Sequence, residues 1–152
     1  MGTPATFRRI YAICGVPARV RFLSVEPLLA DLGDISGFLG DPGRINWVLV
    51  GGESGAHARP SHPDWYRATR DFCIENKIRY FHKQWGSFGP WEDHQKPIDS
   101  PGRRYVWASG KVLKLGDSNG GLDFRDSAIM ERVPKRSAGR LLDGRTWDEV
   151  PR

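Results

Sequence analysis

Three apolar runs, each closed by polar residues, set the pattern of this chain. They are residues 20–26 (VRFLSVE), 47–53 (WVLVGGE) and 79–85 (RYFHKQW). Each body is apolar, and a carboxylate, an amide or a lysine stands at or near its C-terminal end. The first strand is expected over 20–26. Pro27 ends it, because proline brings no N–H to a ladder. The second covers 45–51, where Trp-Val-Leu-Val is apolar on both faces, as in a buried parallel strand. The third is expected over 79–85.

Between the second and third runs, residues 61–76 repeat at helical spacing. Trp65, Ala68, Thr69, Phe72 and Cys73 mark one buried face. Ser61 or His62 can cap this helix, Pro63 suits its first turn and Asp64 complements the dipole. Strand, helix and strand at this spacing predict a right-handed βαβ unit. A short helix is expected over 6–14, stopped by Gly15 and Pro17. Residues 28–44 read as a connection with at most one helical turn.

Past Trp85 the pattern changes. Residues 86–103, rich in Gly, Pro and charge, read as a long surface loop. Runs at 105–108 and 111–115 flank Ser109-Gly110, a hairpin signal. Residues 122–132 give no clear element, 137–142 read as a short helix, and Asp143-Gly144 as a turn. The expected fold class is therefore α/β, with about three parallel strands, a C-terminal hairpin and an irregular extension. The boundary falls at residue 86: 1–86 carry the parallel unit, and 87–152 a loop-rich basic extension. Three parallel strands leave apolar faces and open edges. The unit is thus expected to pair with another copy or with an N-terminal neighbour.

In an α/β sheet, ligands bind at the C-terminal ends of the strands. Alternation places Ser24 and Glu26 on one face, and Gly51 and Glu53 on one face. It puts Tyr80, His82 and Gln84 on one side of the third strand, and Phe81, Lys83 and Trp85 on the other. If the polar sets converge, Ser24, Glu26, Glu53, His82 and Gln84 form a mouth. A bulge can bring Lys83 into it. Two carboxylates there can hold a ribose, an amine or a metal, or act as acid and base. The alternative is structural ion pairing of Glu26 and Glu53 with Lys83 or Arg59.

Gly51-Gly52-Glu53-Ser54-Gly55 is a glycine-rich turn that lets backbone N–H groups approach an anion or cofactor. It matches neither GxGxxG nor the P-loop, and a tight turn explains it equally well. Arg59, near a helix start, can reach a phosphate or stay at the surface. His57 and His62 have no third ligand, so no metal site is expected.

The chain has 152 residues and two cysteines, Cys14 and Cys73. Two reduced thiols suit a cytoplasmic location. No run is long enough to span a membrane. The net charge is +5. Much of the excess is C-terminal, at Lys111, Lys114, Arg125, Arg132, Lys135, Arg136, Arg140 and Arg145. A basic surface favours a polyanion, and the alternative is a solvated basic face. Trp85 and Trp91 can stack on bases or anchor the core and loops.

The strings RFLSVEPLL (21–29), WVLVGGESGAHARPSHPDW (47–65), FHKQWG (81–86) and AGRLLDGRTWDEVP (138–151) together resemble the phage-associated gp thirty-seven / gp sixty-eight family. This is a domain of unknown function with three-cysteine-motif, radical-SAM-like features. The resemblance implies the C-terminal half of a partial (β/α) barrel. The SVEP, GGESG and KQWG segments would then line its mouth. On that arrangement, cofactor contacts are expected at Ser24, Glu26, Gly51, Gly52, Glu53 and Ser54, and substrate contacts at Arg59, His82, Lys83, Gln84 and Trp85. Glu26, Glu53 and Lys83 are the candidate catalytic residues. S-adenosylmethionine and a [4Fe–4S] centre are expected only with a cysteine-bearing N-terminal half, since this chain carries no cysteine cluster and is expected to be inactive alone. A truncated fragment without activity, and a basic nucleic-acid-binding module, are the competing expectations.

Overall fold

The computed structural model describes residues 8–33, 45–91, 102–114, 117, 121–134 and 137–151. Within them, the elements run α1 (Arg8–Cys14), β1 (Phe22–Val25), β2 (Trp47–Gly51), α2 (Pro63–Glu75), β3 (Arg79–Gln84), β4 (Phe88–Pro90), β5 (Arg103–Trp107), β6 (Val112–Lys114) and β7 (Ser127–Arg132). The molecule is mixed α/β. A parallel sheet has the order β1-β2-β3, and an antiparallel sheet the order β4-β7-β5-β6. No barrel closes among the described residues.

The three polar-ended runs all form parallel strands. Phe22, Trp47 and Arg79 stand in one row across the sheet, and Leu23, Val48 and Tyr80 in the next. Leu23, Val25, Val48, Val50, Tyr80 and His82 are buried on one face. Trp65, Tyr66 and Cys73 of α2 pack in the same core, and so does Ile10 of α1. The helix α2 therefore covers this face, with Tyr66 against His82. On the other, Phe22 is 46% exposed and Trp47, Leu49 and Phe81 are only half-buried. The Trp47 ring lies 5.9 Å from both the Phe22 and the Phe81 ring.

Capping chemistry fixes α2. His62 sits in extended backbone before Pro63, and its ring accepts from the Asp64 N–H. Asp64 in the first turn complements the helix dipole. Along the middle of the helix, Arg67 and Arg70 both reach Asp143, so the predicted Asp143-Gly144 turn docks on it. Both of its residues have positive φ, 54° and 76°, closing the Leu142–Arg145 bridge.

Three expectations for the C-terminal part change. Residues 127–132, which carry no clear strand pattern, form β7, the centre of the antiparallel sheet. Ser127–Arg132 mixes polar and apolar positions, so alternation alone does not announce it. Residues 137–142 form turns rather than a helix, because Gly139 takes φ 73°. The start of the expected surface loop is buried: Gly86 to Gly89 lie in the interior and lead into β4. The rest of that loop, 92–101, lies outside the described residues, as does 34–44 of the first connection. The hairpin stands as expected, with β5 and β6 antiparallel around Gly110 at φ 89°.

The two edges of the parallel sheet differ. Residues 147–149 lie antiparallel along β3. The His82 N–H donates to the Trp147 carbonyl at 2.9 Å, and the Glu149 N–H to the Tyr80 carbonyl at 3.3 Å. Trp147 inserts its ring near Tyr80. This strap occupies the side on which a fourth parallel strand would follow β3.

Candidate strand-end site

The C-terminal strand ends bring together a subset of the expected residues. Opposite the step from Val50 to Gly51, β3 contains one extra residue, so that Val50 pairs with His82 and Gly51 with Gln84. The extra residue is Lys83. A bulge of this kind shifts the alternation by one. Lys83 itself follows Phe81 in alternation onto the Phe22 face, where its ammonium donates to the Glu26 carboxylate at 2.8 Å. Exposed Ser24 shares this face with Phe22.

Alternation takes His82 away from the mouth, and the bulge carries Trp85 to the same side. His82 and Trp85 end up together on the helical side, with ring centroids 4.7 Å apart and Tyr66 beside both. His82 is completely buried, and neither ring nitrogen has a hydrogen-bond partner. Burial, reinforced by Arg140, pushes its pKa down to about 4, so it is neutral at pH 7. The Trp85 indole N–H donates to the Leu141 carbonyl. Gln84 donates to the Gly52 carbonyl at 3.1 Å. His82, grouped with the mouth in the sequence reading, follows Tyr80 by plain alternation onto the buried face; the bulge changes only the side of Trp85, which alternation groups with Lys83.

Glu53 is held differently from Glu26. Its carboxylate accepts from the Arg59 backbone N–H at 2.8 Å and from two guanidinium nitrogens at 2.8 and 2.9 Å. The Arg59 side chain holds this carboxyl below the usual carboxylate range. The pair ties the loop after β2 to the approach to α2. Both ion pairs that the sequence suggested as a structural alternative are thus formed.

Packing accounts for much of the glycine-rich loop. A Cβ on Gly52 would stand 1.9 Å from the Trp85 carbonyl oxygen, and one on Gly86 would stand 2.2 Å from the Glu53 carbonyl oxygen. The Gly52 N–H donates to Gln84, and the Gly55 N–H to the Ser87 hydroxyl at 3.0 Å. The loops after β2 and β3 therefore press backbone against backbone. The N–H groups of Gly52 and Gly55 serve this contact rather than an anion cradle. Ser54 is exposed at the loop tip. Gly51 adjoins the Glu26 carboxylate: its Cβ would lie 3.3 Å away.

Sequence reasoning missed several contributors. Arg132 of β7 donates to the carbonyls of Gly55 and Ala56, both at 2.8 Å, and no local pattern announces so distant a contact. Tyr66 lies against His82 and Trp85, and its helical spacing next to Trp65 could have placed it in the core. The row Phe22, Trp47, Phe81 was visible in alternation once the strands were aligned. A cavity of about 360 Å³ lies elsewhere, at the start of α2. Its charges alternate between Asp64, Arg67, Arg125 and Asp126 and select no one sign of ligand.

Fold and site together define an α/β chain whose parallel sheet offers polar strand ends beside a half-buried aromatic row. It belongs to the family described as Protein of unknown function (DUF5131), whose model matches residues 3–151. No curated protein and no solved structure matches the chain. Among the described residues no helix is long and apolar enough to cross a membrane.

Proposed function

We propose that this chain is the ligand-contacting C-terminal portion of a larger, phage-associated, radical-SAM-like α/β unit. One observation carries the reading: Glu26 and Lys83 meet at the C-terminal ends of parallel strands, beside a half-buried aromatic row. An exposed ion pair of this kind contributes about 0–1 kcal/mol. Lys83 is 52% exposed and Glu26 23%. A ligand ammonium can replace Lys83 on Glu26 at little cost, and the released lysine can then take a ligand carboxylate. An amino-acid head group, as in S-adenosylmethionine, offers both charges. Glu53 makes three hydrogen bonds to Arg59 and is the poorer candidate for exchange. Its role is to fix the loop beside the site.

The iron–sulfur centre does not fit this chain's own residues. Cys73 is buried, and burial pushes its thiol up to about 12, whereas a cluster ligand must be a thiolate. Among the described residues, no three His, Cys, Asp or Glu side chains gather as a metal site. The cluster belongs, on this reading, to a cysteine-bearing N-terminal segment. This chain's residues bind and orient.

The test is calorimetric titration of S-adenosylmethionine into a complex of this chain with such a segment. Binding is expected, weakened about tenfold by Glu26→Gln, the loss of one charge-assisted hydrogen bond. An intact complex that shows no binding would sink the cofactor assignment.

Nucleic-acid binding by the basic C-terminal part has weaker support. Arg132 is committed to two carbonyls. Arg125 pairs with Asp123 and Arg140 with Asp148. Lys135 and Arg136 lie outside the described residues. Oligonucleotide affinity that falls steeply with salt and survives Glu26→Gln would move the function there.

A further inference from the structure

We infer that the N-terminal end of the parallel sheet is a binding surface for single-stranded nucleic acid, built from Arg19, Arg21, Lys77 and Arg79 together with Phe22. It lies at the opposite end of the strands from Glu26 and Lys83, so it stands or falls independently of the reading above.

Folding neutralises much of the positive charge elsewhere. Arg59, Arg67, Arg70, Arg125 and Arg140 each grip a carboxylate, and Arg132 is held by two carbonyls. Arg19, Arg21, Lys77 and Arg79 differ. Among the described residues none of the four forms an ion pair. Arg19, Lys77 and Arg79 are exposed. Arg21 is half-buried, and its Nε donates to the Val16 carbonyl at 2.7 Å.

Topology gathers these four cations from distant parts of the chain. Arg21 immediately precedes β1, and Arg79 opens β3. Asn46 lies between them. Its side-chain oxygen accepts from the Arg21 N–H at 2.9 Å, and its carbonyl accepts from the Arg79 N–H at 3.0 Å. Neighbouring strands lie ~4.8 Å apart, which sets the two arginine backbones about 10 Å from each other. Arg19 and Lys77 stand in the segments that enter the two strands. Glu75, exposed at the end of α2, opposes this charge only in part.

A ring stands beside the charges and selects among polyanions. Phe22 is 46% exposed. It shares a row of the sheet with Trp47 and Arg79, and the half-buried Trp47 ring lies 5.9 Å from it. A base can stack on such a ring while neighbouring cations hold the backbone phosphates, which is how single strands are bound without sequence preference. A duplex keeps its base faces stacked inside, so the ring adds nothing to its binding. An acidic peptide uses the cations alone.

The experiment is fluorescence anisotropy of a labelled single-stranded oligonucleotide of about twelve nucleotides, titrated with the whole chain at several salt concentrations. Binding is expected, and it should weaken as salt rises. Lys77→Gln combined with Arg79→Gln removes two phosphate contacts and should flatten the plot of log affinity against log salt by about 1.4. Phe22→Leu keeps an apolar side chain without a ring and should weaken binding at least about fivefold, whereas Phe22→Tyr should stay within about twofold. Oligonucleotide affinity by itself does not separate this surface from the basic C-terminal part, and Lys114→Glu does. Lys114 is an exposed cation of β6, and its reversal should change binding less than about twofold. These positions are at the surface, and circular dichroism checks that the variants fold. No binding by the folded chain, an unchanged salt slope in the double variant, or full binding by Phe22→Leu would each overturn the inference. So would a duplex bound as tightly as the single strand, or binding lost in Lys114→Glu and kept in the double variant. Capture by phosphatidylserine vesicles in preference to the oligonucleotide, unimpaired in Phe22→Leu, would reassign the surface to a membrane and overturn it as well.

Discussion

Replacing Gly86 by alanine is expected to lower stability by about 4 kcal/mol, near the upper end for one added methyl in a packed interior. Two effects combine. The new Cβ would fall 2.2 Å from the Glu53 carbonyl oxygen. That oxygen also accepts from the Ser87 N–H at 2.8 Å, so moving it breaks the link between the two loops. Gly86 also has φ 89°, a region that costs an L-residue about 1–2 kcal/mol. For a chain of this size the melting temperature should drop by roughly 10 °C or more. Gly52→Ala should behave similarly through its 1.9 Å approach to Trp85. Gly55→Ala meets no atom within 4 Å but has φ 115°, so about 1 kcal/mol of strain is expected. Gly51→Ala meets only the flexible Glu26 side chain and should be mildest. Thermal melts of the four variants test the order. If Gly52→Ala is as mild as Gly51→Ala, the backbone contact does not hold the loops together.

This gradient bears on how much of the molecule its sequence displays. The parallel strands and α2 were legible because they bury one face each, and burial writes period 2 or period 3.6 directly into the chain. Trp85 shows where that legibility stops. The bulge lies in the pairing between β2 and β3, and no residue in RYFHKQW announces it. It decides that Trp85 enters the core beside His82, whereas alternation alone buries His82 and turns Lys83 toward Glu26. The glycine-rich loop is a second case. Its composition is compatible with an anion cradle and with close backbone packing, and only the neighbour, Trp85–Gly86, distinguishes them. β7 is a third. Its positions depend on what β4 and β5 lay against them, and such distant partners leave no local period.

The His82 ring should make the protein acid-sensitive well above the carboxylate range. In the folded chain its pKa is pushed down from 6.5 to about 4, first by burial and then by Arg140. In the unfolded chain the ring titrates near 6.5. Above that value neither state binds the proton, and the full stability is present. As the pH falls, the unfolded chain takes up the proton first, and stability is lost until the folded ring titrates near pH 4. A gap of that size amounts to about 3 kcal/mol. His62, also lowered by burial, adds in the same direction, so the His82 share must be isolated by substitution. Phe suits the site, because Tyr66 and Trp85 surround the ring at 5.0 and 4.7 Å. Both His82 nitrogens lack partners, and replacing a buried, unsatisfied polar group with an apolar one of similar shape is neutral or stabilising. His82→Phe should therefore match or exceed the parent by up to about 1 kcal/mol at pH 7. The parent should lose about 3 kcal/mol more than the variant between pH 7 and 4. Urea unfolding at half-unit intervals across that range measures both. Parallel pH profiles for the two proteins would show that another group carries the acid sensitivity. A large loss at pH 7 would mean that the imidazole nitrogens make a contact worth more than the apolar ring.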